Sequence, residues 1–250
     1  MILRSIFLPA VAAAMLLAGC AATPPVASGI SDPNEDRNRR VHAFNKSVDR
    51  EVLRPVSGAY GEAVPRPVRA GVSNFAGNLS TPGYIVNDIL QGNVHDAGSN
   101  FMRFLVNSTF GLAGLLDVAT DMGIPERSAD FGETMHVWGI AEGNYVEAPF
   151  FGPTTERDQV GSIVDLFTNP LSYVVPSPES YAMTTARGLA FVGTRYEFGD
   201  LVDSILYESA DSYAQSRLLS LERRRFELQG GAPASEEVYD PNADPFAEYE

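Results

Sequence analysis

Apolar residues in this chain recur at helical spacing in short stretches, each cut off by proline or glycine. The first stretch begins at Asp32-Pro33-Asn34-Glu35. An acid at the N-cap, proline at the first helical position and a glutamate placed for a capping box predict a helix start there. Val41, Phe44, Val48 and Val52 mark its apolar face, with Arg39, Arg40, Lys46 and Arg50 on other faces. Pro55, Pro65 and Pro67 cut the next part of the chain into short pieces. Val68, Val72, Phe75 and Leu79 predict a second amphipathic helix, stopped by Ser80-Thr81-Pro82. The pattern resumes from Tyr84 to Leu90 and ends at Gln91-Gly92-Asn93.

The segment RFLVNSTFGLAGLLDVA, from Arg103 to Ala119, is the most apolar stretch of the central chain. No charge lies between Arg103 and Asp117. A helix over that interval would rise about 20 Å, short of the roughly 30 Å hydrocarbon core of a bilayer, so the segment cannot span. Phe101, Phe104, Leu105, Leu112, Leu115 and Leu116 fit one helical face with Ser108 as its polar member. Arg103, Asn107, Gly111, Gly114 and Asp117 fall on the opposite side. The glycines leave two readings open, one unbroken helix or a turn between two shorter ones.

Beyond it, Asp130-Phe131-Gly132 through Gly152-Pro153 is dense in glycine and aromatics, with a short strand expected over Asn144 to Ala148. PLSYVVPSPES breaks regular structure, and helices are expected over Ser180 to Tyr196 and Phe198 to Leu228. Arg223-Arg224-Arg225 falls near the C-terminal end of the last helix, where the macrodipole favours cations. The pattern as a whole predicts a mainly α fold of short helices with no central sheet and no fixed-period repeat.

Charge and composition narrow the function. Eighteen Lys and Arg face 32 Asp and Glu, a net charge of -14 that repels a phosphate backbone and argues against nucleic acid as a partner. The single cysteine, Cys20, excludes an intramolecular disulfide and any Cys-based zinc cluster. It closes MILRSIFLPAVAAAMLLAGC, an export signal with one early cation, an apolar run and small residues. Leu17-Ala18-Gly19-Cys20 looks like a lipobox, which predicts cleavage between Gly19 and Cys20 and lipid on the Cys20 thiol. Several acyl chains on one residue give stable anchoring. Ala21 follows the cysteine rather than an acid resembling an inner-membrane retention signal, which favours the outer membrane.

The expected organisation is a signal peptide over 1–19, an acylated tether over 20–31, a helical domain over 32–228, and an acidic, disordered tail over 229–250. No G-x-S-x-G nucleophile elbow, P-loop or dinucleotide fingerprint occurs. His42, His95 and His136 lie far apart, each read as solvated helix surface or a satisfied loop. Asp240, Asn242 and Asp244 alternate like a calcium loop, but Pro245 stands where the turn needs glycine. No catalytic residue, metal or cofactor is assigned beyond the covalent lipid on Cys20, and the chain is expected not to be an enzyme.

Several short motifs, in order, resemble the MlaA family, also called VacJ: Asn38-Arg39, Phe44-Asn45, Asn74-Phe75, Leu90-Gln91-Gly92, Arg103-Phe104, Asp130-Phe131-Gly132, Trp138-Gly139 and Gly152-Pro153. The similarity runs from about Asp32 to about Arg225, most densely to Val174. The resemblance implies a ring-like single domain of amphipathic helices lying in one membrane leaflet around a central channel. It implies an outer-membrane, periplasm-facing lipoprotein that removes phospholipids from the outer leaflet. Its implied partners are a trimeric porin, a soluble periplasmic lipid carrier and, indirectly, an inner-membrane ABC transporter. Phe44 and Asn45 match a family motif tied to control of the channel. Arg103, Asn107, Gly111 and Gly114, on the small and polar face, are the candidates to line or bend it. An envelope lipid hydrolase and a passive porin-bound lipoprotein are the competing readings.

Overall fold

The computed structural model describes residues 30–230; Gly19, Cys20, the signal segment, most of the tether and the tail past residue 230 lie outside the described residues. The chain is mainly helical. In order, α1 (Glu35–Val48) passes through a wide π turn, π1 (Asp49–Leu53), into α2 (Arg54–Ala63) and α3 (Arg66–Gln91). Next come α4 (Val94–Thr109), α5 (Val118–Asp121), α6 (Phe131–Val137) and the strands β1 (Tyr145–Ala148) and β2 (Gly152–Thr155). After the strands come α7 (Glu156–Thr168), α8 (Leu171–Val174), α9 (Glu179–Glu197), α10 (Gly199–Asp203), a second π turn π2 (Ser204–Glu208), and α11 (Ser212–Leu228). The strands form an antiparallel hairpin with Tyr145 opposite Thr155 and Ala148 opposite Gly152.

Short polar side chains fix where many of these helices start. Asn93, Asp117, Asp130, Thr155 and Asp211 each accept a hydrogen bond from the backbone N–H three residues on. Prolines stand in the first turn of α2 and α3, and Gly92, left-handed at φ 74°, ends α3. Contacts between elements close a circuit. From α1 the path runs through π1 and α2 to α9, from α9 to α3, from α3 to α6 and α7, and from α7 through the hairpin back to α1. The helix α11 bridges β2 and π2. Nothing among the described residues fills this ring-like arrangement with a large apolar core. The buried apolar cluster is Tyr145, Tyr213 and Leu221, with Ile30 against it.

Four expectations are corrected. Pro82 does not stop a helix: α3 runs through it. Proline removes one helical donor and crowds the carbonyl four residues back. The neighbouring Leu79 carbonyl accepts from Asn169 Nδ2 at 2.8 Å and Arg187 Nη2 at 3.2 Å, tying the helix to α9 and the start of α8 beside the proline. Asp32 is not the first cap, since α1 starts after Asn34. Asp32 instead accepts from Asn38, Tyr213 and Arg217, tying the start of the fold to α11. The interval Phe198 to Leu228 is two helices with π2 and an extended Ser209 between them. His42 is buried between Glu147, at 3.2 Å, and Ser212, at 3.1 Å, rather than solvated. The expected strand is present, joined by β2, which the sequence pattern did not show.

The open question about the central segment resolves into a turn. The helix α4 ends at Thr109, and Leu112, Ala113 and Gly114 take left-handed backbone, at φ 53°, 61° and 99°. A Cβ at Gly111 would stand 2.2 Å from the Leu116 carbonyl, and one at Gly114 would stand 2.6 Å from the Asn78 side chain. Only glycine fits this reversal at those two positions.

The circuit is locked where α9 meets π1. Arg195 donates to both oxygens of Asp49, at 2.7 and 2.9 Å, and to Asp203 at 2.6 Å. Side-chain exposure is 7% for Arg195 and 9% for Asp49, so removing one partner strands a charge out of water. Arg195→Leu is expected to cost about 3–5 kcal/mol by that reasoning. Asp49→Leu combined with Arg195→Leu should regain most of the loss. Thermal unfolding of the detergent-solubilised protein reads both, and a double variant as weak as the single one contradicts the account.

Candidate functional site

The distribution of side chains is inverted relative to a water-soluble domain. Large apolar residues are exposed along α3, α4, the central turn, α7 and the hairpin, including Ile89, Phe101, Phe110, Leu112, Leu166 and Phe151, the last 90% exposed. Polar ones are buried. Ordinary soluble domains do not present apolar surface on this scale without a partner or a membrane. No helix among the described residues is long and apolar enough to cross a membrane.

The buried polar groups form linked clusters. Around the central turn, Arg103 donates to both Asp117 oxygens at 2.9 and 3.0 Å and reaches Thr120 Oγ1 and the Ile124 carbonyl. Asn107 donates to Asp117 at 2.9 Å and accepts from the Ala119 N–H at 2.9 Å. From α3, Asn78 donates to Ser108 and to the Ala113 carbonyl, and Asn74 donates to the Leu115 carbonyl. Arg103 and Asn107 are 5% and 6% exposed, and their polar atoms are spent on holding the turn. The turn thus offers Leu112, Leu115 and Leu116 outward while its backbone is satisfied from within. Burial pushes the Asp117 carboxyl up, but the bonds from Thr120, Asn107 and Arg103 outweigh it and hold the group below the usual carboxylate range.

Phe44 and Asn45 meet the hairpin tip. Asn45 donates to the Ala148 carbonyl at 3.0 Å and accepts from the Phe150 N–H at 2.8 Å. Phe44 stacks edge to face on Phe150, centroids 5.2 Å apart. Phe150 has φ 68°, so α1 holds the tip in a conformation its own residues disfavour. Behind it the buried Glu147 carboxylate accepts from His42 and Tyr145.

A third cluster lies between α3, α4, α6 and α7. Thr134 donates to Asn87 at 3.1 Å, Asn87 to Asp165 at 3.0 Å, and Asn100 to Asp88 at 2.7 Å. Burial, then the nearby charge of Asp130, pushes the Glu133 carboxyl up to about 7 against an opposing pull from Arg224, with Asp88 adding less.

Sequence reasoning singled out Arg103, Asn107, Gly111, Gly114, Phe44 and Asn45, and the structure gathers the first four at one turn and the last two at the hairpin. It did not single out Asn78, Glu147, Asp49, Arg195 or Tyr207. Asn78 carried a signal, a polar residue beside Leu79 on an otherwise apolar face, while Asp49 and Arg195 are 146 residues apart and carried none. Among the described residues no group of His, Cys, Asp and Glu is arranged to hold a metal ion.

A carboxyl whose folded pKa is raised binds its proton more tightly in the native state, so its contribution is complete below the ordinary glutamate value and is lost as pH rises through about 7. Glu133→Gln is therefore expected to raise the unfolding temperature at pH 8 and to leave it unchanged near pH 4. A wild-type to variant difference that does not vary with pH would contradict this.

Comparison with known proteins places the chain. The family model described as MlaA lipoprotein matches residues 30–227. The chain is 37% identical over 233 residues to the intermembrane phospholipid transport system lipoprotein MlaA of Escherichia coli (strain K12), covering 91% of this chain and 90% of that protein. It is 35% identical over 164 residues to the protein of the same name from Haemophilus influenzae, covering 63% and 65%. A solved structure described under the words "Structural basis for maintenance of bacterial outer membrane lipid asymmetry" superposes with a TM-score of 0.66 at 32% identity, over 79% of this chain and 99% of that one. The chain belongs to the MlaA lipoprotein family.

Proposed function

We propose that this chain is an outer-membrane lipoprotein that takes phospholipids out of the outer leaflet and passes them inward through a polar path. The lipids would go to a soluble periplasmic carrier and, through it, to an inner-membrane ABC transporter, with a trimeric porin beside the lipoprotein. The observation that carries the reading is the inverted surface: apolar side chains outside, hydrogen-bonded polar groups inside, and no spanning helix among the described residues. A half-exposed Leu or Phe gains on the order of 1 kcal/mol on entering hydrocarbon, so many together seat the domain in acyl chains well beyond what an N-terminal lipid supplies. Backbone groups satisfied internally make that seat possible for a structure too short to span.

Such a domain needs no covalent chemistry. A phospholipid's tails can remain in hydrocarbon during transfer, whereas its headgroup faces a cost of several kcal/mol at the bilayer centre. A ring with an apolar outer face and a polar inner one lowers that barrier by keeping the headgroup among dipoles and charges. Direction would come from the ATP-driven pump. The Phe44–Asn45 contact with Phe150 gives α1 a means of setting the hairpin tip, in keeping with a channel-control role.

Deleting the gene is expected to raise phospholipid on the cell surface, read as substrate for an outer-membrane phospholipase and as detergent sensitivity. Wild-type protein should reverse this and Cys20→Ser should not. Unchanged surface phospholipid in the deletion strain would overturn the proposal.

A further inference from the structure

Cations are unevenly matched in this chain. Among the described residues, every Arg from Arg103 onward except Arg187 sits in an ion pair. On α1 and π1, by contrast, Arg37, Arg40, Lys46 and Arg50 have no carboxylate partner among the described residues. Three cations of this stretch converge on one ring. Lys46 Nζ lies 5.4 Å from the centroid of Tyr207, and the Arg50 and Arg54 guanidinium carbons each lie 5.2 Å from it.

The ring is held for them. Tyr207 Oη donates to Asp49 at 2.7 Å, which joins π2 to π1, and π turns recur at functional sites. Asp49 is committed to Arg195, and Asp203 is shared by Arg195 and Arg54. Lys46, Arg50, Arg54 and Arg195 thus face only Asp49 and Asp203 among the described residues. Glu51 and Glu208, adjacent in sequence to the cluster, form no ion pair with it. Arg50 is left with no ion-pair partner among the described residues, and Lys46 holds only a long hydrogen bond, to Ser212 Oγ at 3.4 Å, so both can turn to a ligand. On the far side of the same rod, Val52 and Val56 are exposed, so cations and hydrocarbon-compatible surface are separated across it.

We propose that Lys46, Arg50 and Arg54, gathered on the Tyr207 ring where the two π turns meet, dock the phosphodiester of a phospholipid headgroup. The ligand class rests on the transport reading above. A phosphodiester carries one negative charge and two free oxygens, which suit a guanidinium fork with an ammonium beside it. Arg54 stays with Asp203 and fixes the edge of the site, while Arg50 and Lys46 supply the contacts.

The test uses the full-length lipoprotein in nonionic detergent, with dihexanoylphosphatidylglycerol as probe and equilibrium dialysis as readout. Lys46→Gln combined with Arg50→Gln is expected to weaken binding about tenfold or more. Binding of dihexanoylglycerol, which lacks the phosphate, should not change. Lys46→Arg combined with Arg50→Lys keeps both charges and should bind more tightly than the Gln pair, which separates lost charge from lost fold. Unchanged phosphatidylglycerol binding in the Gln pair, or an equal loss of dihexanoylglycerol, would overturn the site. Competition by inorganic phosphate at equal concentration would overturn its assignment to lipid. The transport reading falls separately, if wild-type protein fails to restore surface asymmetry. Restoration by the wild type together with normal binding by the Gln pair rejects the site alone.

Discussion

The whole structure depends on satisfying polar groups inside a shell that has no large apolar core. A segment such as 110–117 can face hydrocarbon only if its carbonyls and N–H groups find partners within the protein. Here Asn74 and Asn78 of α3 donate to the Leu115 and Ala113 carbonyls, turn bonds to the Val106, Ser108 and Gly111 carbonyls take N–H groups of the segment, and Arg103 and Asn107 of α4 hold Asp117 at its end. The same rule governs Pro82, where Asn169 and Arg187 reach the carbonyl beside the broken helical bond. Buried Arg–Asp pairs such as Arg195–Asp49 and Arg103–Asp117 perform that service across the circuit. Left unpaired in so thin a shell, any one of them would cost more than the apolar contacts around it return.

This constraint sets the division of labour between faces. Because hydrogen bonding holds the fold from within, large apolar side chains such as Phe110, Phe151 and Leu166 are released to face outward. The lipid supplies the missing half of the core. The polar clusters are left inside, where their atoms bond one another across α3, α4, α6 and α7. The hairpin belongs to this arrangement, since α1 sets its tip through Asn45 and Phe44 rather than through the strand ladder.

Local chemistry was legible in the sequence; long-range pairing was not. The spacing of Val68, Val72, Phe75 and Leu79, the stop at Gly92 and the strand after Asn144 all rest on neighbouring residues. Pro82 misled because the contacts that hold the helix beside it come from residues 169 and 187. Asp32 looked like a cap because its true partners, Tyr213 and Arg217, lie on the last helix. Arg103 and Asn107 were marked by the right signal, polar residues opposite an apolar face, which identifies a position turned away from hydrocarbon. Whether such a residue meets water, a lipid or another side chain is decided by Asp117, and spacing alone does not show that.

The seat of the apolar face in the membrane is the central claim, and the chain carries one tryptophan with which to measure it. Trp138 is about half exposed, with its indole N–H donated to the Leu90 carbonyl and its ring edge to face with Phe131. Exposed Leu90 and Val137 adjoin it, one by that hydrogen bond and one in sequence. The measurement is quenching of its fluorescence in reconstituted bilayers, by lipids brominated on the acyl chains and, separately, by aqueous iodide. The account predicts blue-shifted emission quenched by the brominated lipids and little affected by iodide. Red-shifted emission quenched by iodide and untouched by the brominated chains would contradict it.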